Sequence, residues 1–386
     1  MPSRSDQPLD GPLEDFLTDK SKGNDSGNYR RNAEQVLNKG DQNWIDWMHE
    51  ERSTYTFAAL DVDDLEAYAR HLKRRTNDVN GLAASSARKY YDYVRAYLSW
   101  CQRREYLADN PAAKDRATDA LPDDDQRSEH TQQLWSPAQR SSIMAYVNER
   151  ASKAIDEEGG DALAETRDRA FVATIAYSGV RGGEILSDRN DDRRDGVRWT
   201  DVDLDRGTMT ILEKGSQEYT QTGVPKQAVS ALARWKQVFD PPSEEWPVFP
   251  TLHAPSLSST VADGLDAEGY DDEEIEARRA DATALEVCYA EDIAPPALTT
   301  AGGRNLMKRL SKAADVPDLN TDDGEYLELH GGRRGAGDTL VREKGWEQAQ
   351  KHLLHADPKT TMDAYSHISA EETAEEAGEA FDEADQ

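Results

Sequence analysis

In the stretch DVDDLEAYARHL (61–72), Leu65, Tyr68, Ala69 and Leu72 fall at i, i+3, i+4 and i+7. Side chains at those positions share one face of an α-helix, and no strand could bury them together. The acids at its start stand where the helix dipole favours negative charge. The same rhythm recurs in NAEQVLNKGDQNWIDWMHEE (32–51), where Val36 and Leu37, then Trp44, Trp47 and Met48 repeat; Gly40 interrupts the pattern without having to end it. A third helix is expected from Ser85 or Ser86, as N-cap, to about Arg104. Its buried stripe is Val94, Tyr97, Leu98 and Cys101, with Arg88 and Arg95 pointing the other way, and DNP (109–111) stops it. Residues 12–111 therefore read as a small helical domain behind a disordered N-terminus, residues 1–11.

The segment 112–135 is highly charged and lacks periodicity, which makes it a linker. Ser136–Pro137 then opens a second domain as N-cap and first helical residue. TRDRAFVATIAYSG (166–179) continues as helix, whereas GVRWTDVDLDRGTMTILEK (196–214) has the alternation and turn residues of short strands. KGSQEYTQTGVP (214–225) is expected to form a hairpin connection ending at Val224–Pro225. Residues 256–296 are acidic and read as an insertion or mobile surface element. Helical pattern returns from 297 to about 356, and 371–386 read as an acidic, solvated tail. The fold class is thus mainly α with a small β-sheet, α+β, at 386 residues long enough for two cores.

The formal net charge is −30, with 32% charged and 37% hydrophobic residues. A pI of about 4.6 would ordinarily argue against nucleic acid as a partner. The acids, however, are spread along the chain, and lysine is scarce beside arginine. Such a surface repels itself in dilute buffer, and the repulsion fades at molar salt, where the Debye length is about 3 Å. The composition reads as adaptation to a high-salt cytoplasm, which makes net charge a poor guide to the partner. Cys101 and Cys288 are the only cysteines, too few and too far apart for a disulfide framework or a cysteine metal site. The first residues lack an apolar signal core, and the longest apolar run, AFVATIAYSGV (170–180), is too short to cross a bilayer. A soluble, cytoplasmic protein without membrane contact is expected.

One helix concentrates cations. In GRNLMKRLSKAAD (303–315), Arg304, Lys308, Ser311 and Lys312 share a narrow arc, and Leu306, Leu310 and Ala313 lie opposite. That face suits either solvent or the major groove of duplex DNA.

Four further segments carry chemistry-bearing residues. AYSGVRGGEIL (176–186) presents Arg181 at a bend after Gly179, with Glu184 one turn on. TILEKGSQ (210–217) puts Lys214 at the tip of a strand pair. ELHGGRRGAGDTLV (328–341) sets His330 and Arg333 on one face of a first helical turn, and HLLHADPKTTMDAYSH (352–367) carries His355 and Tyr365. Taken singly, each has an ordinary role: a surface ion pair, a turn residue, a helix cap, a half-buried aromatic. His352 and His355 at i, i+3 could hold a metal, but no carboxylate follows at zinc-protease spacing.

In this order and at these separations the segments resemble the tyrosine recombinase (phage integrase) family, with Xer-like site-specific recombinases in mind. The resemblance covers most of the chain. Residues 12–111 resemble a helical, SAM-like core-binding domain, and 136–370 a DNA breaking-rejoining catalytic domain. What the resemblance implies is strand exchange through a 3′-phosphotyrosyl intermediate: Arg181 and Arg333 clamp the scissile phosphate, His330 accepts a proton, and His355 donates a hydrogen bond. In the same scheme Lys214 protonates the leaving oxygen and Tyr365 attacks. The implied partner is double-stranded DNA, bound by a homotetramer on two duplexes; Arg88, Arg95, Arg304, Lys308 and Lys312 are expected DNA contacts, and no metal or cofactor is implied. A type IB topoisomerase-like enzyme and an inactive DNA-binding relative remain alternatives.

Some positions depart from the family pattern. It commonly has an apolar residue where Gly332 stands and glycine where Leu354 stands. The hairpin is less basic than in relatives, and His355 and Tyr365 are one residue further apart than in the commonest form.

Overall fold

The structure, a computed structural model, describes the chain except residues 1–2, 24, 79–80, 124–132, 215, 366–367 and 369–386. It divides into two units, Met1–Thr131 with Asn190–Arg193, and Gln132–Arg189 with Arg194–Gln386.

The first unit is helical: α1 (Leu13–Lys20), α2 (Asn28–Glu34), α3 (Trp44–Trp47), α4 (Val62–Arg75), α5 (Ala84–Arg103) and α6 (Asp115–Thr118). The stripe Leu65, Tyr68, Ala69, Leu72 on α4 is buried, and Asp61 caps the helix in a reciprocal box with Asp64. On α5, Val94, Tyr97, Leu98 and Cys101 are all fully buried. Tyr97 anchors the core: its ring lies 5.2 Å from that of Phe16, and its hydroxyl donates to the Leu9 carbonyl at 2.6 Å.

Three boundaries differ from the sequence expectations. Gly40 does end a helix: α2 runs on as a wider turn through Gln35–Lys39, Gly40 is extended, and Asn43 caps α3. Residues 3–11, expected to be disordered, fold onto the unit, where Leu9 is completely buried and its amide donates to the Tyr55 carbonyl. A single leucine sufficed, with too few neighbours to reveal a period. In the supposed linker, Pro111–Ala113 and α6 form short turns, and Ala112, Ala117 and Leu121 pack into the first core. Turns this short bury only one or two residues each, so no periodicity marks them.

The second unit is built around α8 (Leu163–Ser178), which buries Ala170, Phe171, Val172, Ala173, Ile175 and Ala176, nearly its whole circumference. A helix apolar all round must be covered on every side. It is covered by α7 (Pro137–Glu158), α10 (Lys226–Phe239) and α15 (Leu329–Lys344). Between α8 and α10 come the short α9 (Gly182–Ile185) and an antiparallel sheet of β1 (Val202–Asp203), β2 (Thr208–Leu212) and β3 (Tyr219–Gly223). Met209 pairs with Thr222 and Leu212 with Tyr219, so the β2–β3 hairpin carries Glu213, Lys214 and residues 216–218 at its tip.

The acidic segment 256–296, expected as an insertion or mobile surface element, is helical and packed into the unit. It forms α11 (Ala254–Ala267), α12 (Asp272–Ala280) and α13 (Ala284–Ala290). Leu257, Val261, Leu265, Ile275, Val287 and Cys288 enter the core of the unit. The first three are four residues apart, a stripe that the acids on the outward face obscure. After α14 (Thr300–Ala313) and α15, the chain ends its described part with α16 (Trp346–His352) and α17 (Pro358–Ala364). On α14, Ser311 is buried and accepts from the Leu327 amide at 3.0 Å, while Ala313 is exposed, so the buried arc is rotated slightly from that read in the sequence. Buried Asp168 ties three helices together by accepting from Arg150 (2.9 Å) on α7, Arg167 (2.7 Å) on α8 and Arg309 (3.3 Å) on α14.

Helix α15 lies unusually close to α8. A Cβ on Gly332 would stand 2.6 Å from Ile175 Cγ2 and 2.8 Å from the Ile175 carbonyl oxygen. The apolar side chain that the family pattern has here would not fit. Gly332→Ala should therefore lower stability by about 1–3 kcal/mol, read as a drop in Tm or in the denaturant midpoint.

Candidate active site

Helix α8 stops at Gly179, whose φ of +69° carries the chain into the left-handed turn that glycine adopts freely. Arg181 follows as the first residue before α9. Its amide and its Nη1 both donate at 2.8 Å to the carboxylate of Glu184. That carboxylate, 1% exposed, also accepts from the Lys214 amide at 3.2 Å. One buried acid thus holds the arginine turn and the base of the hairpin tip together. The Lys214 side chain itself is exposed.

Arg333 stands on the first turn of α15 and is 4% exposed. Its Nη1 donates to the Gly179 carbonyl at 2.6 Å and its Nη2 to the Leu353 carbonyl. Burial, with Arg181 adding to it, lowers its pKa to about 10, so it remains charged at neutral pH. The second of these carbonyls closes α16. There Leu354 takes φ +52°, the left-handed conformation for which the family pattern uses glycine. A leucine in that region costs about 1–2 kcal/mol; its side chain packs against the core of the second unit. The turn delivers His355, whose amide donates to the Gln350 carbonyl at 3.1 Å. Its Nδ1 shares a 2.8 Å hydrogen bond with Thr361 Oγ1. His352 packs against the positions of Gly179 and Gly223.

Tyr365 is 2% exposed, in a cluster with Val341, Ala349, Leu353 and Ile368. A Cβ on Gly337 would collide with its phenol oxygen, so the ring lies directly on α15. Burial pushes the phenol up to about 12, against the opposing pull of Arg333 and Arg334, and Asp338 adds to the rise.

The charges converge. His330 is lowered to about 4, by desolvation first and then by Arg334, Arg333, Arg181 and Lys214. His355 is also lowered to about 4, by desolvation, Arg333 and Arg181, with Glu213 opposing. Both imidazoles are therefore neutral at pH 7 in the DNA-free chain. All six side chains singled out in the sequence fall in this one neighbourhood of the second unit. The arrangement sets Arg181, Arg333 and Arg334 around neutral histidines, suited to an oxyanion bearing more than one charged oxygen.

The expected DNA-contact residues fare unevenly. Arg304, Lys308 and Lys312 are exposed on α14; Lys308 also lies 5.2 Å over the Tyr326 ring, and Lys312 pairs with Asp322 at 3.1 Å. Arg95 is exposed but paired with Asp92 at 2.7 Å. Arg88 is turned inward, its Nε donating to the Pro122 carbonyl at 2.7 Å. Among the described residues of the first unit, Lys73, Arg74 and Lys89 are exposed cations with no carboxylate at ion-pair distance, and sequence reading passed over them. The string HLKRR was the only signal of the first two, and Lys89 lay unremarked beside Arg88. Glu184 was also missed, read as an ordinary ion-pair partner because its contact with Lys214 spans thirty residues of sequence.

No family model matches the chain. Among curated proteins it is similar to Tyrosine recombinase XerC of Xylella fastidiosa, 28% identical over 201 residues, which are 52% of this chain and 56% of the relative. It is also similar to Tyrosine recombinase XerC of Xanthomonas axonopodis pv. citri, 25% identical over 182 residues, 47% of this chain and 50% of the relative. The chain thus spans about half the length of these relatives. Among solved structures, the XerH site-specific recombinase in a post-cleavage complex with palindromic difH substrate has TM-score 0.52 at 14% identity, over 85% of this chain and 74% of that one. The Tn1549 transposon integrase in complex with a circular intermediate DNA has TM-score 0.52 at 13% identity, over 96% and 99%. At such identities the likeness is one of fold. In sequence over about half its length, and in fold, the chain is similar to tyrosine recombinases.

Proposed function

We propose that the chain is a site-specific DNA recombinase that cuts and rejoins duplex DNA through a 3′-phosphotyrosyl intermediate. The observation that carries this reading is the buried, carbonyl-tethered Arg333 beside Arg181, a fixed positive site with neutral imidazoles around it. In the reaction, Arg181 and Arg333 hold the non-bridging oxygens of the scissile phosphate, whose charge grows as phosphorus becomes pentacoordinate. Tyr365 Oη attacks phosphorus, the bond to the 5′ oxygen breaks, and the phenol proton passes to His330. Lys214 gives a proton to the departing 5′ oxygen, and His355 donates a hydrogen bond to the phosphate. The phosphotyrosyl bond conserves the energy of the phosphodiester, so the 5′ hydroxyl of a partner duplex reverses the step without ATP.

The phenol is buried against α15 in the DNA-free chain, so in this reading Tyr365 moves off Gly337 toward the phosphate when DNA binds. The DNA face of the second unit is α14 with Arg304, Lys308 and Lys312, and that of the first unit is the set Lys73, Arg74 and Lys89 in place of Arg88. A homotetramer on two duplexes, in a cytoplasm of high salt, is the working assembly. High salt weakens the counterion-release part of affinity, which puts more weight on these direct contacts.

In molar potassium chloride, short nicked duplexes drawn from a random-sequence pool should yield a covalent protein–DNA adduct on a denaturing gel. Tyr365→Phe should bind the same DNA and give no adduct; an adduct in that variant ends the reading. Arg181→Lys, which loses the fork but keeps a charge, should slow adduct formation by about 10²–10³-fold with little change in Kd.

The lowered histidines also predict a pH dependence of stability. Their folded values near 4 lie below the unfolded value of about 6.5. Their contribution is thus complete above about pH 6.5 and is lost as pH falls toward 4. The Tm of the DNA-free chain should decline across that window, and more shallowly in a His330→Gln, His355→Gln double variant.

A further inference from the structure

Arg194 belongs to the charged run SDRNDDRRD (187–195), which lies between α9 and β1 and which sequence reading passed over. The run closes on itself: Ser187 and Asp195 pair in an antiparallel bridge, and the Asp188 amide donates to the Arg194 carbonyl at 2.8 Å. That closure returns the half-buried Arg194 to α9, where its Nη1 donates to the Gly183 carbonyl at 2.9 Å and to the Leu212 carbonyl at 2.8 Å. The first acceptor is left over from a helix that stops. In a longer helix the Ser187 amide would bond it, but that amide donates to the Leu298 carbonyl at 3.0 Å. The second acceptor stands where β2 ends, two residues before Lys214. One guanidinium thus spans from the turn after Arg181 to the base of the hairpin through charge-assisted hydrogen bonds.

The two ends of this span are held differently. The Arg181 turn is also fixed by Glu184, which accepts its amide and its guanidinium, and by the Arg333 bond to the Gly179 carbonyl. At the hairpin, the Lys214 amide bonds the same Glu184 at 3.2 Å, and the Lys214 side chain is exposed. Cutting the Arg194 bonds would therefore release the hairpin more than the arginine turn. We propose that Arg194 is a positioning residue for Lys214, clamping the base of the hairpin to the arginine turn so that the ammonium meets the departing oxygen. This inference rests on the reading of Lys214 as proton donor. In that step the bond from phosphorus to the 5′ oxygen breaks, the electron pair stays on oxygen, and Lys214 supplies the proton. A displacement of about 1 Å costs such a step on the order of 10²-fold.

The test uses the nicked duplex that the unaltered chain cleaves fastest from the random pool, made with oxygen or with sulfur at the bridging 5′ position. A thiol ionises at about 8.5, so sulfur departs as thiolate and needs no proton from Lys214. Arg194→Met should slow cleavage of the oxygen duplex by about 10–100-fold and leave the sulfur duplex within about threefold of the unaltered rate. Without DNA, exchange of the Lys214 amide, followed by NMR, should be about 10–100-fold faster in that variant. Arg194→Lys keeps the charge without the planar fork; it carries the same expectations at smaller size and serves if the methionine variant fails to fold. Equal slowing on both duplexes, no slowing, or unchanged Lys214 exchange in a folded variant overturns the proposal. Lys214→Ala, run alongside, tests the underlying reading. If sulfur rescues Lys214→Ala and not Arg194→Met, only the role of Arg194 falls. If sulfur fails to rescue Lys214→Ala, the donor role of Lys214 falls, and faster amide exchange in Arg194→Met would still keep the clamp.

Discussion

A guanidinium sealed inside the second unit sets the terms for everything around it. Burying a charge is costly unless it is hydrogen-bonded, and Arg333 meets that cost with two backbone carbonyls, those of Gly179 and Leu353. Each carbonyl ends a helix. Satisfying Arg333 therefore fixes the turn that presents Arg181 and the turn that presents His355 relative to α15. Carbonyl dipoles orient the charge but do not cancel it, and Arg181 nearby adds more. The result is a site that holds positive charge in place before any anion arrives, the preorganisation that phosphoryl transfer exploits.

The close approach of α15 to α8 makes that geometry reachable. Gly332 brings the helix against the Ile175 backbone, and Gly337 gives the Tyr365 ring a seat on the opposite side. The departure from the family pattern at Gly332 is thus a packing solution. The departure at Leu354 is of another kind: the left-handed backbone is retained and only the residue has changed. Glu184 does related work from the other side, binding the Arg181 turn to the hairpin through one buried carboxylate. Loss of that acid would free two of the proposed reactive groups at once.

The two histidines illustrate how a cationic site tunes its own acid–base groups. Placed among arginines and partly desolvated, His330 and His355 stay neutral well below pH 7. A neutral imidazole can accept the phenol proton, and a bound phosphate would raise its basicity as the negative charge arrives. In the proposed reaction, proton transfer is then favoured once DNA is bound. The net charge of −30 obscured none of this, because the cations that matter are gathered by tertiary contacts and the acids are dispersed.

The amino-acid order determined the helices with a clean apolar stripe, such as 62–75 and 84–103, and the residue types that phosphoryl transfer requires, since periodicity and short motifs are local properties. It could not show the small features that depend on one or two contacts. Leu9, Ala117 and the stripe Leu257, Val261, Leu265 are buried by partners far away in the chain, and nothing beside them announces it. Nor could it tell that Arg88 turns inward to a carbonyl thirty-four residues on, or that the Arg334 guanidinium reaches the Gln133 carbonyl. Which charges face one another, which are exposed and which phenol is buried were decided by helix packing, because electrostatic and desolvation energies depend on distance through space.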